Sequence, residues 1–219
     1  MNTTEIKVLV LAAVALFGYF CGNFSLSYLL AKKRGFDIRS QGTGNAGASN
    51  AAVTMGWKVG VLVGLCDIMK CFIATLAVRI TLSAMGAFAV SDVYLLAPYV
   101  AGVCCVIGHM HPCYMKFRGG KGFASYLGMV LAINWKLFIV IGLGILAVAL
   151  ISNYIVMGTM ITMVSFPVAT YILERNLIAS LIVATLSLLI IYRHRRNLVA
   201  IARGEERKIT GVFKKKKSE

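Results

Sequence analysis

The residues of this chain with usable chemistry gather in three short polar stretches. The first is Gly42-Thr43-Gly44-Asn45-Ala46-Gly47-Ala48-Ser49-Asn50. The second is Gly108-His109-Met110-His111-Pro112 running on to Gly119-Gly120-Lys121-Gly122, and the third is Arg193-His194-Arg195-Arg196-Asn197. Glycine amides, carboxamides, hydroxyls, a lysine and histidines are hydrogen-bond donors, and a set so rich in donors suits an anion. The spacing of Gly42, Gly44 and Gly47 lets consecutive backbone N–H groups converge as a nest around a phosphate; a plain surface loop is the other reading. Lys121 between glycines reads as a phosphate clamp or as a positive charge in a flexible hinge. A nucleotide P-loop is excluded, because Met115 stands where that loop needs glycine and Gly122 where it needs Ser or Thr. His194 and Asn197 share a face if the helix before them continues.

Each stretch lies at the edge of a hydrophobic run. The chain has 219 residues, 59% of them hydrophobic, and a mean hydropathy of +0.81. That excess excludes a soluble domain and sets the class as a multi-spanning membrane protein. Few prolines and long runs of Val, Ile, Leu and Ala predict helices, since barrel strands would alternate. Apolar runs fall at 6–30, 57–81, 93–110, 122–133, 136–152, 154–173 and 177–192. The expectation is an all-α integral membrane protein of about seven transmembrane helices, with a range of five to seven because 122–133 and 177–192 are short. The first run lacks a small-residue cleavage site and reads as a retained helix. Residues 32–56 read as a glycine-rich loop without a helix, facing the N-terminal dipole of helix 57–81.

Apart from Lys7, Lys70, Arg79, Lys136 and Arg175, every lysine and arginine lies in 32–58, in 116–121 or after Tyr192. By the positive-inside rule those segments are cytoplasmic, with the N-terminus outside and the C-terminus inside. Loops near 82–92, 134–136 and 174–176 are then external, and all three polar stretches meet the cytoplasmic face. Residues 1–212 read as a single transmembrane domain. Residues 213–219 read as a basic, disordered cytoplasmic tail whose lysines each contribute roughly 1 kcal/mol near anionic headgroups.

The net charge of +15 is accounted for by this basic face, and no nucleic-acid recognition motif accompanies it. The six cysteines lack CxxC spacing and mostly fall in apolar runs, where a thiol packs as a small hydrophobe. His109 and His111 have no third ligand at metal spacing, so no metal is expected. Asp67 and Lys70 lie three apart within an apolar run. They read as a neutralising pair holding helices together, the alternative being that intramembrane charges mark function.

In their order along the chain, Asp37-Ile38-Arg39, the Gly42–Asn50 loop, Asp67-Ile68-Met69-Lys70, Gly108-His109 with Pro112, Gly119–Gly122, and His194 with Asn197 and Gly204 resemble the PlsY family. These are bacterial integral-membrane acyl-phosphate:glycerol-3-phosphate acyltransferases, and the resemblance runs through most of the chain. It implies an enzyme of the bacterial inner membrane with its active site on the cytoplasmic face. The implied reaction moves a fatty acyl group from acyl phosphate to the 1-hydroxyl of glycerol-3-phosphate, giving lysophosphatidic acid and phosphate for phospholipid synthesis. Membrane lipid and a soluble acyl-phosphate-producing enzyme are implied partners; no cofactor, metal or nucleic acid is.

Residue by residue, the resemblance implies catalytic roles for Lys121, His194 and Asn197. It implies substrate binding for Thr43, Gly44, Asn45, Gly47, Ser49, Asn50, His109, Gly119, Gly120 and Gly122. Thr43 keeps the hydroxyl of the family's serine. The chain departs at Val53, where the family has an arginine expected to contact the acceptor's phosphate, and valine cannot replace a bidentate guanidinium. Ser49 for threonine and Arg196 for an acid are milder departures.

Transfer from a mixed anhydride needs an oriented hydroxyl, a stabilised oxyanion and a phosphate leaving group. His194 either takes the hydroxyl proton or orients the acceptor while a substrate phosphate oxygen takes it. The His-x4-Asp dyad of thioester-dependent acyltransferases is absent, since Tyr114, Lys116 and Val199 stand five residues after the histidines. Two competing readings are a transporter of a phosphorylated metabolite, for which no repeat is visible, and an acyltransferase with another acceptor, which Val53 favours.

Overall fold

The computed structural model describes residues 2–85 and 91–210, and these are all-α. The basic tail 213–219 and much of loop 82–92 lie outside the described residues. The helices are α1 Thr3–Asn23, α2 Leu26–Lys33, α3 Ala48–Met55, α4 Trp57–Ala84, α5 Ser91–Met110, α6 Phe123–Ile133, α7 Trp135–Ser152, α8 Ile155–Glu174, α9 Leu177–Arg193 and α10 Arg195–Ala202. Short 3-10 turns cover Ile38–Ser40 and Cys113–Met115. Two compact units divide the chain after Trp135.

Every expected apolar run is helical, the first (6–30) with a break at Phe24 and Ser25 that divides it into α1 and α2. Among the described residues five segments are long and apolar enough to cross a membrane: Thr3–Lys33, Trp57–Ala84, Val93–Met115, Trp135–Ser152 and Ile155–Glu174. The bent pair α9–α10 makes a sixth if it counts as one span. The short run 122–133 is no full span by itself, because the 11 residues of α6 rise only about 16 Å against a hydrocarbon core of about 30 Å.

In the first unit α1 and α5 lie backbone to backbone. A Cβ added at Gly18 or Gly22 would run into the backbone of Ala101 or Cys105, and one at Gly108 into the carbonyl of Tyr19. Gly18 and Gly22 are four apart, as are Ala101 and Cys105, so each pair shares a helix face. Lipid tails are as apolar as these side chains, and close packing through small residues is what associates such helices.

The chain after α5 turns at Cys113–Met115, with Lys116 and Phe117 in the left-handed region at φ 53° and 56°. It then doubles back along α5. The Gly119 amide donates to the Met110 carbonyl at 2.9 Å and the Gly120 amide to that of His109 at 3.2 Å. A Cβ on Gly122 would meet Met110 and Val106. This doubled-back stretch leads into α6 and carries Lys121 alongside the end of α5. At the far end of α6, Arg79 of α4 donates to the carbonyls of Ala132 and Ile133, both at 3.0 Å. Those last-turn carbonyls have no helical partner, and a cation suits the negative end of the helix.

The reading of 32–56 as free of helix is corrected. Between Gly47 and Gly56 the sequence has no glycine, and Ala51 and Met55 on that stretch pack with Ile38, Ala46 and Val63. An eight-residue helix is therefore buried along one side. It is α3, rather than α4, that starts at the glycine loop.

In the second unit α8 and α9 form a hairpin through Arg175 and Asn176, whose side chain accepts from the Ala179 amide at 2.9 Å. Gly158 lets α8 approach Ile145 of α7. The Ile209 amide donates to the Asn153 carbonyl at 2.9 Å, and the Thr210 amide to its side chain at 3.0 Å. Within this unit the α7–α8 turn and the chain after α10 thus share one end.

Arg79→Leu leaves two carbonyls without their donor. The expected cost is about 1 kcal/mol for each hydrogen bond lost, read as a lower melting temperature in detergent, with Arg79→Lys falling between. An unchanged melting temperature would remove Arg79 from the supports of the fold.

Candidate active site

The first glycine loop is organised around Asn50, which is fully buried. Its Nδ2 donates to the carbonyls of Ile38 at 2.8 Å and Gln41 at 3.0 Å, and its Oδ1 accepts from the Thr43 amide at 2.7 Å. Gly42 and Gly44 have φ of 60° and 71°, and a side chain on Gly42 would strike the Asn50 Oδ1. Two of the amides at the expected nest are engaged within the loop. The Thr43 amide faces Asn50, and that of Gly44 donates to the Gln41 carbonyl at 3.1 Å, so both close the loop rather than converge on an anion. Facing outward are the side chains of Thr43 and Ser49, both exposed, with Asn45 half-buried and Gly47 buried. The first turn of α3 follows at Gly47 without a side-chain cap, placing a positive dipole end beside Ser49.

Arg39 ties this loop to the turn after α5. Its guanidinium forks onto Asp37, at 2.9 Å from Nε to Oδ1 and 2.6 Å from Nη2 to Oδ2, and Nη1 donates to the Met115 carbonyl at 2.6 Å. The hydrogen bonds from Arg39 hold the Asp37 carboxyl below its ordinary value against partial burial, and Asp37 in turn raises Arg39. The first two polar stretches therefore occupy one end of the first unit.

At that end the second stretch folds onto a buried cluster. Lys70 lies 2.8 Å from Asp67 Oδ1, 2.8 Å from His109 Nδ1 and 2.7 Å from the Phe24 carbonyl, which is exposed by the break between α1 and α2. A Cβ on Gly120 would overlap Nε2 and Cε1 of His109, and one on Gly119 would overlap the His109 carbonyl and Pro112. Both glycines are thus required by close approach to α5, and Gly122 by its φ of 95°. Lys121 is half-buried between them.

In the second unit the helix expected to continue through His194 does not. α9 stops there, and α10 departs at 50°. His194 is buried, its Nδ1 2.8 Å from the Ile190 carbonyl. A carbonyl only accepts, so Nδ1 carries the hydrogen and the basic nitrogen of the neutral ring is Nε2. The Asn197 amide still meets His194, now through a backbone bond of 2.9 Å to its carbonyl across the break. The Asn197 side chain donates from Nδ2 to Glu206 Oε1 at 2.8 Å, which fixes the orientation of its amide. Gly204, at φ 73°, turns the chain so that Glu206 comes back to Asn197. Glu206 is the residue that sequence reading missed, and only Gly204, two residues before it, hinted at a turn. His109 as third partner of Asp67 and Lys70 was equally hidden, for it is 39 residues from Lys70.

The profile of a family described as "Glycerol-3-phosphate acyltransferase" matches residues 12–204. Glycerol-3-phosphate acyltransferase 1 of Oceanobacillus iheyensis is 36% identical over 209 residues, covering 93% of this chain and 97% of that one. A glycerol-3-phosphate acyltransferase of Clostridioides difficile is 37% identical over 198 residues, covering 90% and 94%. Crystal structures of PlsY, an integral membrane glycerol 3-phosphate acyltransferase, superpose with TM-scores of 0.79 for its glycerol 3-phosphate form and 0.76 for its lysophosphatidic acid form. Both are 28% identical; the first covers 93% of this chain and 99% of its own.

Asn50→Ala removes the centre of the first loop and is expected to lower stability by about 2 kcal/mol, measured by thermal unfolding. For Asp37 the folded value is depressed, so its contribution is present above the unfolded value of about 3.9 and lost as pH falls through the folded value. Melting temperatures of wild type and Asp37→Asn are expected to differ at neutral pH and to converge in acid. A gap independent of pH would count against this ion pair.

Proposed function

This chain belongs to the glycerol-3-phosphate acyltransferase family, and from that premise we propose that it transfers a fatty acyl group from acyl phosphate to the 1-hydroxyl of glycerol-3-phosphate. The hydroxyl oxygen bonds to the acyl carbon, the bond from that carbon to the phosphate oxygen breaks, and lysophosphatidic acid and inorganic phosphate leave. The observation that carries the reading is the doubled-back Gly119–Gly122 segment. It offers a half-buried lysine at the polar end of apolar helices, where a phosphate headgroup with a hydrocarbon tail fits.

Lys121, the side chains of Thr43, Asn45 and Ser49 and the first turn of α3 at Gly47 bind the phosphates in this reading, with the edge of His109 and Gly119, Gly120 and Gly122 forming the wall of the clamp, while Gly44 turns the loop. Asn50 acts by shaping its loop. Cations and fixed donors stabilise charge that gathers on the departing phosphate, and a mixed anhydride needs little more than that and alignment. His194 presents Nε2 to the acceptor hydroxyl, and Asn197, oriented by Glu206, holds the acceptor beside it. The proton goes to Nε2 or onward to a phosphate oxygen.

Residues 1–212 then form one acyltransferase domain in the bacterial inner membrane. Counting the doubled-back segment plus α6 as one pass and α9 as another gives seven, with the N-terminus outside and the three polar stretches at the cytoplasmic face. That is where a soluble enzyme making acyl phosphate delivers it. Val53 is exposed on α3, so the acceptor's phosphate relies on other cations.

The test is the protein in lipid with palmitoyl phosphate and glycerol-3-phosphate, measuring lysophosphatidic acid and phosphate together. Lys121→Ala is expected to reduce the product by on the order of a hundredfold or more. Val53→Arg is expected to lower KM for glycerol-3-phosphate by about tenfold, the effect of one added charge-assisted contact. Phosphate release without lysophosphatidic acid would move the acceptor assignment elsewhere, and no turnover of either substrate would end the enzyme reading.

A further inference from the structure

Lys70 is the centre of the buried cluster at the clamp, and its protons can be counted. An ammonium has three N–H groups and no lone pair. Its nitrogen has three acceptor neighbours: the Phe24 carbonyl at 2.7 Å, Asp67 Oδ1 at 2.8 Å and His109 Nδ1 at 2.8 Å. His109 Nδ1 also lies 3.2 Å from Asp67 Oδ1, a contact that a protonated ring would make an ion pair. That assignment fails on the shorter contact. A hydrogen on Nδ1 would set two donors against each other at 2.8 Å. Removing the conflict by discharging Lys70 would leave Asp67 facing its cation only across the longer distance. The ammonium therefore donates to Nδ1, and in the neutral ring the hydrogen sits on Nε2.

The location of that Nε2 gives the tautomer its consequence. The Nε2–Cε1 edge occupies the space a Gly120 side chain would fill, and the Gly120 amide donates to the carbonyl of the same histidine at 3.2 Å. Gly120 is thus bracketed by the backbone and the ring of His109, one residue before Lys121. The side chains of Lys70, Asp67 and His109 are 8%, 4% and 4% exposed. In such surroundings hydrogen bonds are directional and strong, and an unmade one is costly. With a neutral ring the cluster has one carboxylate and one ammonium and carries no net charge, which suits an apolar setting.

We propose that Lys70, seated on Asp67, is a positioning residue for the acyl-transfer site: it holds His109 as the tautomer protonated at Nε2 and so fixes the ring edge on which the Gly119–Gly122 segment is folded. Lys70 touches no substrate and acts through His109. The kinetic part of this inference rests on the acyltransferase reading; the tautomer does not.

The experiment is 15N NMR of histidine-labelled protein in lipid bilayers at neutral pH, with the His109 signals identified by their loss in His109→Gln. The expected wild-type result is an unprotonated Nδ1 and a one-bond proton coupling at Nε2. A proton on Nδ1, alone or in a doubly protonated ring, overturns the proposal without any variant having to fold. In Lys70→Met the proton is expected to move to Nδ1, facing Asp67. The accompanying fall in kcat is on the order of ten- to a hundredfold, as where outer partners fix a histidine's tautomer elsewhere, with partial rescue in Lys70→Arg. A folded Lys70→Met with an unchanged ring and unchanged kcat also overturns it. Wild-type protein that has the Nε2 proton but turns over neither substrate would sink the acyltransferase reading and leave the tautomer assignment supported.

Discussion

No water is available in the hydrocarbon core to pair with a backbone N–H or C=O, and this structure is arranged around that constraint. Long helices satisfy their own backbone, so the demands arise where helices break. The break after α1 exposes the Phe24 carbonyl, and Lys70 meets it. The early end of α6 exposes two carbonyls, and Arg79 meets both. At the end of α9 the side chain of His194 returns to the Ile190 carbonyl. A charged or ionisable side chain deep in an apolar chain is expensive, and these sit where an unpaired backbone group would be expensive too. Helix breaks and reactive side chains therefore coincide for one physical reason.

The same economy of donors shapes the loops at the polar end of the first unit. Asn50 closes one glycine loop with bonds to two carbonyls and one amide, and α5 carries the other through the backbone of His109 and Met110. Amides so engaged are unavailable to a ligand, so side chains and the start of α3 bear more of any anion binding than the glycine spacing implied. The glycines serve close approach and turning instead. A loop held this firmly loses little conformational freedom when a ligand arrives, which favours alignment of the bound groups.

The sequence made the long helices legible because hydropathy defines them, and the apolar runs became helical apart from the break at Phe24 and Ser25. Hydropathy does not report where the chain doubles back on a helix, so the path of Gly119–Gly122 along the end of α5 was not legible. Glycine count misled over Ala48–Met55, where burial of Ala51 and Met55 decided the local structure. Of the candidate site, residue types were legible and orientations were not. The nitrogen of His194 that keeps its lone pair depends on the Ile190 carbonyl, and the role of Asn50 on carbonyls it reaches only once the loop is closed. The pairing of Asp67 with Lys70 was readable from their spacing on one helix. Its third member comes from another helix, and no local pattern encodes that contact.

The treatment of acids at these sites bears on how a phosphate is accommodated there. Asp37 is held by the fork of Arg39, Asp67 by Lys70, and Glu206 accepts from Asn197. In the first unit each carboxylate of the site end is thus neutralised by a cation beside it, while Lys32, Lys33, Lys116 and Arg118 stand exposed at that same end. Unopposed carboxylates would repel a dianionic headgroup over several ångströms, and pairing them removes that repulsion without needing more cations. Under the proposed reaction such a field favours the products as charge moves from the anhydride oxygen onto the leaving phosphate. It also makes a strong general base less necessary, since the acceptor hydroxyl attacks a carbonyl whose leaving group is already stabilised. A site built from donors and paired acids suits an activated acyl donor, whose leaving group needs charge stabilisation more than its acceptor needs a strong base.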